Sequence, residues 1–187
     1  MEMISAKDLR SGHAFKYNDS VWQVLEQEFN KPGKGQAKMI IRMKDLRTGS
    51  IINTTLLPDE KYEKCIIDKK DMLFSYIDGD SYVFMDTESW EQVEVPTERL
   101  KWESNFLVEN MEIEIVFYGD EIIGINLPEK VVLEVTESAP AVAGNTATNA
   151  LKEATLETGY VVKVPMFIEQ GEKIIVNTND GKYSSRA

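Results

Sequence analysis

VWQVLEQEFNKPGKGQAKMIIRMK, residues 21–44, is the stretch of sequence that decides the predicted fold. Its second half alternates apolar and polar positions, so that Met39, Ile41 and Met43 share one face and the charged side chains lie on the other. This period of two is typical of a β-strand that is buried on one side. The sequence therefore predicts a long antiparallel hairpin.

The first half of this stretch is also rich in β-forming residues. Strict alternation places Val21, Leu25 and Phe29 on one face and Trp22 and Val24 on the other. A strand of this length rises roughly 30 Å, at about 3.3 Å per residue. We therefore expect the far end of the hairpin to stand clear of the domain body.

A short loop joins the two predicted strands. Its proline and two glycines are residues that end regular strands, and a lysine lies between the glycines. We expect this lysine, Lys34, to lie at or near the tip. The tip loop consists of Lys31, Pro32, Gly33, Lys34, Gly35 and Gln36.

Charge is distributed unevenly along the chain. The whole sequence has 21 Lys and Arg against 32 Asp and Glu, a net charge of −11. Residues 1–63 have a net charge of +1, residues 64–127 of −10 and residues 128–187 of −2. This balance excludes general binding to nucleic-acid phosphates, which needs a basic surface. A nucleic-acid partner is expected to meet the first third, where no acidic residue lies between Glu28 and Asp45.

The sequence contains no motif that is typical of catalysis. There is one cysteine, Cys65, and one histidine, His13, which excludes an internal disulfide, a Cys-based zinc cluster and a His-rich metal site. We find neither a Gly-rich phosphate loop nor a G-x-S-x-G motif. We expect no catalytic residues, no metal and no cofactor.

No signal-peptide h-region and no apolar run of the ~18–20 residues that a membrane span needs is present in the sequence. We therefore expect a cytoplasmic protein without a membrane partner. For Cys65, which lies beside two isoleucines, the expectation is a buried and inert thiol.

The spacing of strands and turns predicts an all-β fold of three small barrels. We expect an SH3-like (KOW-like) barrel at residues 1–63, an acidic OB-fold barrel at 64–127 and a C-terminal OB-fold barrel at 128–187. An Asp-Gly turn at residues 78–80 separates two predicted strands. Residues 97–106 are expected to form a short helix with Thr97 as its N-cap.

Several motifs along the whole chain resemble the bacterial elongation factor P family. The pattern K-x-A-x₄-G, followed by V-P and then G, spans about twenty residues and is specific, whereas the tip loop alone is moderate evidence. The similar segments are KPGKGQA at 31–37, LRTG at 46–49, FMD at 84–86, KEATLETG at 152–159, Val164-Pro165, Gly171, and the ending formed by Gly181, Tyr183, Ser185 and Arg186.

The resemblance implies three β-barrels arranged in an L shape similar to a tRNA. It implies a monomer that binds the ribosome between the exit and peptidyl-tRNA sites and relieves stalling at consecutive prolines. In this family the hairpin tip reaches toward the CCA end of the peptidyl-tRNA. Carried over, that residue is Lys34, which a lysine-modifying enzyme would extend.

Other candidate RNA contacts are weaker. Lys38, Arg42 and Arg186 are candidates on charge alone, and Tyr183 and Arg186 belong to the similar C-terminal ending. Residues 144–146 (Gly144, Asn145 and Thr146) stand where the family usually has Gly-Asp-Thr, a segment associated with mRNA in the exit site. Asn145 removes a charge but keeps an acceptor and adds a donor.

Two other classes of function stay open at this point. The first is a general single-stranded RNA-binding OB-fold protein or RNA chaperone, with aromatic side chains such as Trp22, Trp90 and Trp102 as stacking platforms. The charge of −10 in residues 64–127 argues against it. The second is an enzyme that uses a carboxylate cluster, for which solvated acidic faces are the simpler explanation.

Overall fold

The computed structural model describes residues 1–141 and 150–187. Within these residues the chain is built from antiparallel strands and three short 3-10 helices, which confirms the all-β prediction. The strands are β1 (Met3–Ser5), β2 (Ala14–Tyr17), β3 (Ser20–Asn30), β4 (Lys38–Asp45), β5 (Ile51–Leu56), β6 (Lys61–Cys65), β7 (Ile67–Asp78), β8 (Ser81–Asp86), β9 (Gln92–Pro96), β10 (Glu112–Tyr118), β11 (Glu121–Asn126), β12 (Lys130–Ser138), β13 (Leu151–Leu156), β14 (Val161–Pro165), β15 (Lys173–Asn177) and β16 (Tyr183–Arg186).

The strands form three sheets. Their orders are β1-β6-β2-β3-β4-β5, β11-β10-β7-β8-β9 and β14-β13-β12-β15-β16. Most neighbours are consecutive in the chain and pair as antiparallel hairpins. No helix among the described residues has the length and apolar character needed to cross a membrane.

The predicted hairpin corresponds to β3 and β4, which pair from Trp22 and Asp45 at the base to Asn30 and Lys38 at the far end. Met39, Ile41 and Met43 of β4 are buried, so the predicted alternation of this strand is confirmed.

The predicted faces of β3 are wrong beyond its middle. The ladder shifts register between Val24 and Glu26, so Leu25 is an extra residue in a β-bulge. A bulge reverses which face the later side chains occupy. Phe29 therefore lies opposite Met39, on the same face as Trp22 and Val24, instead of sharing a face with Val21 and Leu25.

A hydrophobic core packs against the face of the first sheet that carries Trp22, Val24 and Met39. Tyr17 and Phe15 pack edge-to-face, as do Tyr17 and Trp22, and the Trp22 indole N–H donates to the Tyr17 carbonyl at 3.0 Å. Trp22 is thus a core residue. The buried members of this core are Ala6, Leu9, Phe15, Trp22, Val24, Met39, Ile41, Met43 and Leu56.

The predicted helix at 97–106 is two short 3-10 helices, Thr97–Leu100 and Glu103–Asn105. The expected cap is wrong, because Pro96 occupies the N-cap position, Thr97 is the first helical residue and no side chain caps the helix. One-turn segments of this kind serve as connectors.

The described chain divides into two compact units. The first consists of Met1–Lys70 with Ile115–Gly124, and the second of Asp71–Glu114 with Ile125–Ala187. The hairpin and its tip loop belong to the first unit.

An aromatic cluster fixes the 3-10 segment within the second unit. Trp102 packs edge-on against Phe106 with ring centroids 5.2 Å apart, and its indole N–H donates to the Thr178 carbonyl at 2.9 Å. The Tyr160 hydroxyl donates to the Gly181 carbonyl at 2.9 Å. Trp102 is therefore held in the protein by packing and a hydrogen bond.

Candidate functional site

The tip loop follows the last ladder pair of the hairpin. The backbone N–H of Gly35 donates to the Pro32 carbonyl at 3.1 Å, which closes a four-residue turn with Lys34 at its third position. Residues 31–36 are all exposed. The turn thus places Lys34 at the end of the hairpin, as the sequence predicts.

The two glycines beside Lys34 have different reasons to be glycine. A Cβ on Gly35 would lie 2.7 Å from Cγ of Pro32, closer than real Cβ atoms approach. A Cβ on Gly33 would meet nothing within 4 Å. Gly35 therefore permits the tight turn, whereas Gly33 leaves open space on the other side of Lys34.

Lys34 is available for an external partner. Within residues 1–141 and 150–187 it has no acidic partner at salt-bridge distance, in contrast to Lys7, whose ammonium lies 2.8 Å from Asp59. An ammonium group provides three donors for phosphate or ribose oxygens. The tip can hold or position such a group, but it brings no proton acceptor for catalysis.

Two further candidates lie on the outer face of the same hairpin. Lys38 is opposite Asn30 and is exposed. Arg42 is opposite Glu26, and the two charged groups lie 3.7 Å apart on the surface. Exposed pairs of this kind contribute little, about 0–1 kcal/mol, so a phosphate can compete with Glu26 for Arg42.

The exposed ring of Phe29 is not among the site residues predicted from the sequence. It is 55% exposed, although Met39 directly opposite is 1% exposed on the same face. The core ends between these two side chains. No signal in the sequence marks this, because the bulge at Leu25 determines the face of Phe29.

The C-terminal candidates lie in the second compact unit. Tyr183 is half-buried and packs against its hydrophobic core. The Arg186 guanidinium lies 3.1 Å from Glu172 and 4.5 Å from the ring centre of Phe167. Arg186 therefore connects the last strand to Glu172 by an ion pair and to Phe167 by a cation–π contact. Residues 144–146 lie outside the described residues.

The remaining reactive side chains have structural surroundings. Cys65 is buried as expected, and burial raises the pKa of its thiol. The Nδ1 atom of His13 accepts a hydrogen bond from the Arg10 N–H at 3.2 Å. Among the described residues, no group of three or more His, Cys, Asp or Glu side chains is arranged to hold a metal ion.

Three family descriptions match consecutive parts of the chain. Residues 5–62 match the Elongation factor P (EF-P) KOW-like domain, and residues 67–125 match the Elongation factor P (EF-P) OB domain. Residues 131–186 match Elongation factor P, C-terminal. The predicted KOW-like and OB-fold classes of the first two parts are thereby confirmed.

Relatives that match over nearly their whole length indicate the same family. The chain is 46% identical to elongation factor P of Mesoplasma florum, over 98% of this chain and 100% of the relative. It is 50% identical to elongation factor P of Mycoplasmoides gallisepticum, over 99% and 98%.

A solved structure shows a similar fold. The translation initiation factor eif-5a family protein from Naegleria fowleri matches with a TM-score of 0.51 and 18% identity, over 67% of this chain and 98% of that chain.

Elongation factor P proteins are translation elongation factors that act without enzymatic chemistry of their own, and the prediction of a non-enzymatic protein is confirmed on this ground. The matches cover almost all of the sequence, and the motifs quoted above lie within them. The chain therefore belongs to the bacterial elongation factor P family.

Proposed function

We propose that this protein binds the ribosome between the exit and peptidyl-tRNA sites and positions the CCA end of the peptidyl-tRNA for peptide-bond formation. The observation that carries the proposal is the exposed turn at the end of the hairpin, with Lys34 between two glycines and free of any acidic partner among the described residues. Such a tip is narrow enough to enter a crowded RNA cleft.

The need for such a factor is greatest at consecutive prolines. The proline ring fixes the backbone and removes the N–H, so the reacting groups are poorly aligned. Holding the tRNA end in reactive geometry lowers the entropic part of the barrier and requires no proton transfer by Lys34. The ribosome performs the chemistry, and this protein supplies orientation.

A lysine-modifying enzyme acting on Lys34 completes the proposal. An extension would lengthen the reach of the tip and add hydrogen-bond donors. The exposed turn leaves the ammonium group accessible to an enzyme. Mass spectrometry of the tip peptide from the native source is expected to show added mass, and Lys34→Arg should remove it.

The wider assignments are parts of the same proposal. We place the protein in the cytoplasm as a monomer with domains at residues 1–63, 64–127 and 128–187. Residues 144–146 are proposed to approach mRNA in the exit site. Lys38, Arg42, Tyr183 and Arg186 remain candidate RNA contacts.

The test is a reconstituted translation system with a template that encodes consecutive prolines. Lys34→Ala should fold normally, because the side chain is exposed, and should lose most of the relief of stalling. Lys61→Ala removes the same charge from an exposed position on β6, outside the tip loop, and should keep most of the activity. Full relief by Lys34→Ala would contradict the proposal.

The same preparation separates this function from general RNA binding. A single-stranded RNA chaperone would bind unstructured RNA tightly and with strong dependence on salt. We expect negligible binding of long unstructured RNA, because residues 64–127 repel phosphate.

A further inference from the structure

Phe29 is an aromatic ring on the core face of the hairpin at a level where the core has ended. Its neighbour across the ladder, Met39, is buried together with Leu56 of β5, whereas Phe29 is 55% exposed. A ring left half in water contributes little to folding compared with a buried one. Its position one residue before the last ladder pair leaves its face open to a ligand at the tip.

The end of the hairpin beyond this ring carries cations and no acidic residue. Lys31 and Lys34 lie in the tip loop, and no Asp or Glu follows Glu28 before Asp45. The carboxylates of β3 and Lys38 lie on the opposite face of the hairpin, where Glu26, Glu28 and Asn30 pair with Arg42, Ile40 and Lys38. An aromatic platform with cations beside it is the combination that binds single-stranded nucleic acids.

The other exposed aromatic side chains of the described residues lie outside the hairpin. Trp90 is 70% exposed and ends a turn that carries Glu88 and Glu91, and Tyr76 is 44% exposed two residues before Asp78. Phe167 is 56% exposed, but the Arg186 guanidinium over its ring already pairs with Glu172. The Trp102 indole N–H donates to the Thr178 carbonyl. Among the described residues, Phe29 is therefore the exposed aromatic ring that lies beside the tip loop.

We propose that Phe29 is a stacking platform for an unpaired nucleotide at the 3′ end of the RNA that the tip approaches, with Lys31 of the tip loop toward the flanking phosphates. This inference rests on the proposed function, since that function brings an unpaired RNA end to the tip. It assigns Phe29 a positioning role: the ring fixes one base while Lys34 contacts the backbone.

The test measures binding of the full chain to an acceptor-stem RNA hairpin with an unpaired 3′ CCA end, by fluorescence anisotropy at low salt. Matched RNAs lack the unpaired end or carry abasic nucleotides in it. Base–aromatic stacking corresponds to about a 5- to 150-fold loss of affinity when the ring is removed. Phe29→Leu and Phe29→Ala should show this loss, and Phe29→Tyr should not.

The abasic RNA distinguishes stacking on a base from a purely structural role of Phe29, because a structural role would not depend on whether the base is present. It should weaken binding of the unaltered chain by a similar factor and have little further effect on Phe29→Leu. Trp90→Leu is the matched control, because it removes an exposed aromatic ring from an acidic turn, and it should change nothing. Thermal unfolding of each variant checks the fold.

The proposal is overturned if the unaltered chain ignores the unpaired end, or if Phe29→Leu and the abasic substitution weaken binding additively. These outcomes are distinct from failure of the proposed function, which would appear as full relief of polyproline stalling by Lys34→Ala. Loss of relief in Lys34→Ala together with unchanged RNA binding by Phe29→Leu would retain the function and reject the platform.

Discussion

The backbone N–H of Gly35 donates to the Pro32 carbonyl at 3.1 Å, and the missing side chain of Gly35 leaves room for the Pro32 ring. Their hydrogen bond closes the turn in which Lys34 lies. The turn has the proline at its first position and the lysine at its third. The sequence of the tip is therefore a geometric requirement as well as a source of charge.

Gly35→Ala should disturb this turn, because its Cβ would lie 2.7 Å from Cγ of Pro32. We expect faster amide hydrogen exchange at residue 35 and reduced relief of polyproline stalling. Global stability should change by less than about 0.5 kcal/mol, as for other exposed positions. Gly33→Ala is the matched control, since its Cβ meets nothing within 4 Å. Equal exchange rates at residue 35 in both variants would contradict this account.

Gly181→Ala should be strongly destabilising. Gly181 has φ of +72°, and a Cβ there would clash with the Tyr160 hydroxyl and lie 2.9 Å from the Trp102 ring. Strain at positive φ and overpacking together should lower the free energy of unfolding by about 2–5 kcal/mol. Gly171→Ala, with φ of +88° and open space, should lose only about 1–2 kcal/mol. Urea unfolding of both variants measures the difference, and similar losses would refute the clash.

Arg186→Lys should loosen the last strand although it keeps the charge. The planar guanidinium lies 3.1 Å from Glu172 and stacks on Phe167, and an ammonium group reproduces neither contact well. We expect faster amide exchange at Ala187, whose N–H donates to the Lys173 carbonyl at 3.0 Å. Lys182→Ala is the control, and it should leave this exchange rate unchanged. A rate in Arg186→Lys equal to that of the unaltered chain would show that the guanidinium does not hold the strand.

Cys65 should react slowly with reagents that modify thiols. Burial raises the pKa of the thiol, so less thiolate is present at pH 8 than in an exposed cysteine, and the thiolate is the reactive form. The reaction of the folded protein with an aromatic disulfide should be at least about tenfold slower than after urea unfolding. Its rate should continue to rise above pH 8.5. Comparable rates in the folded and unfolded protein would show that the thiol is accessible.

The hairpin of the first sheet was predictable from local pattern. The alternation in β4 needs only the chemistry of consecutive residues, and the buried set Met39, Ile41 and Met43 agrees with it. The position of the tip loop was equally predictable, because proline and glycine end strands whatever residues surround them.

Other strands carried no such signal. β2, β6 and β13 were not predicted, and each is short or has charged residues among its apolar ones. In the sequence, the KEATLETG motif is marked only by its resemblance to the family. In the structure it is β13 and the following turn, where Thr158 donates to the Asn105 carbonyl at 2.6 Å. Long-range contacts of this kind leave no local pattern.

The sequence by itself determined the strand-rich character, the uneven charge and a lysine at the end of a hairpin, because these follow from residue type and near neighbours. Only the tertiary structure decided that Phe29 lies on the core face yet outside the core. One extra residue at Leu25 changes the face of every later side chain in β3, and that bulge is set by pairing with β4 and by burial of Trp22 and Val24. Such a choice depends on residues that meet only in the folded chain.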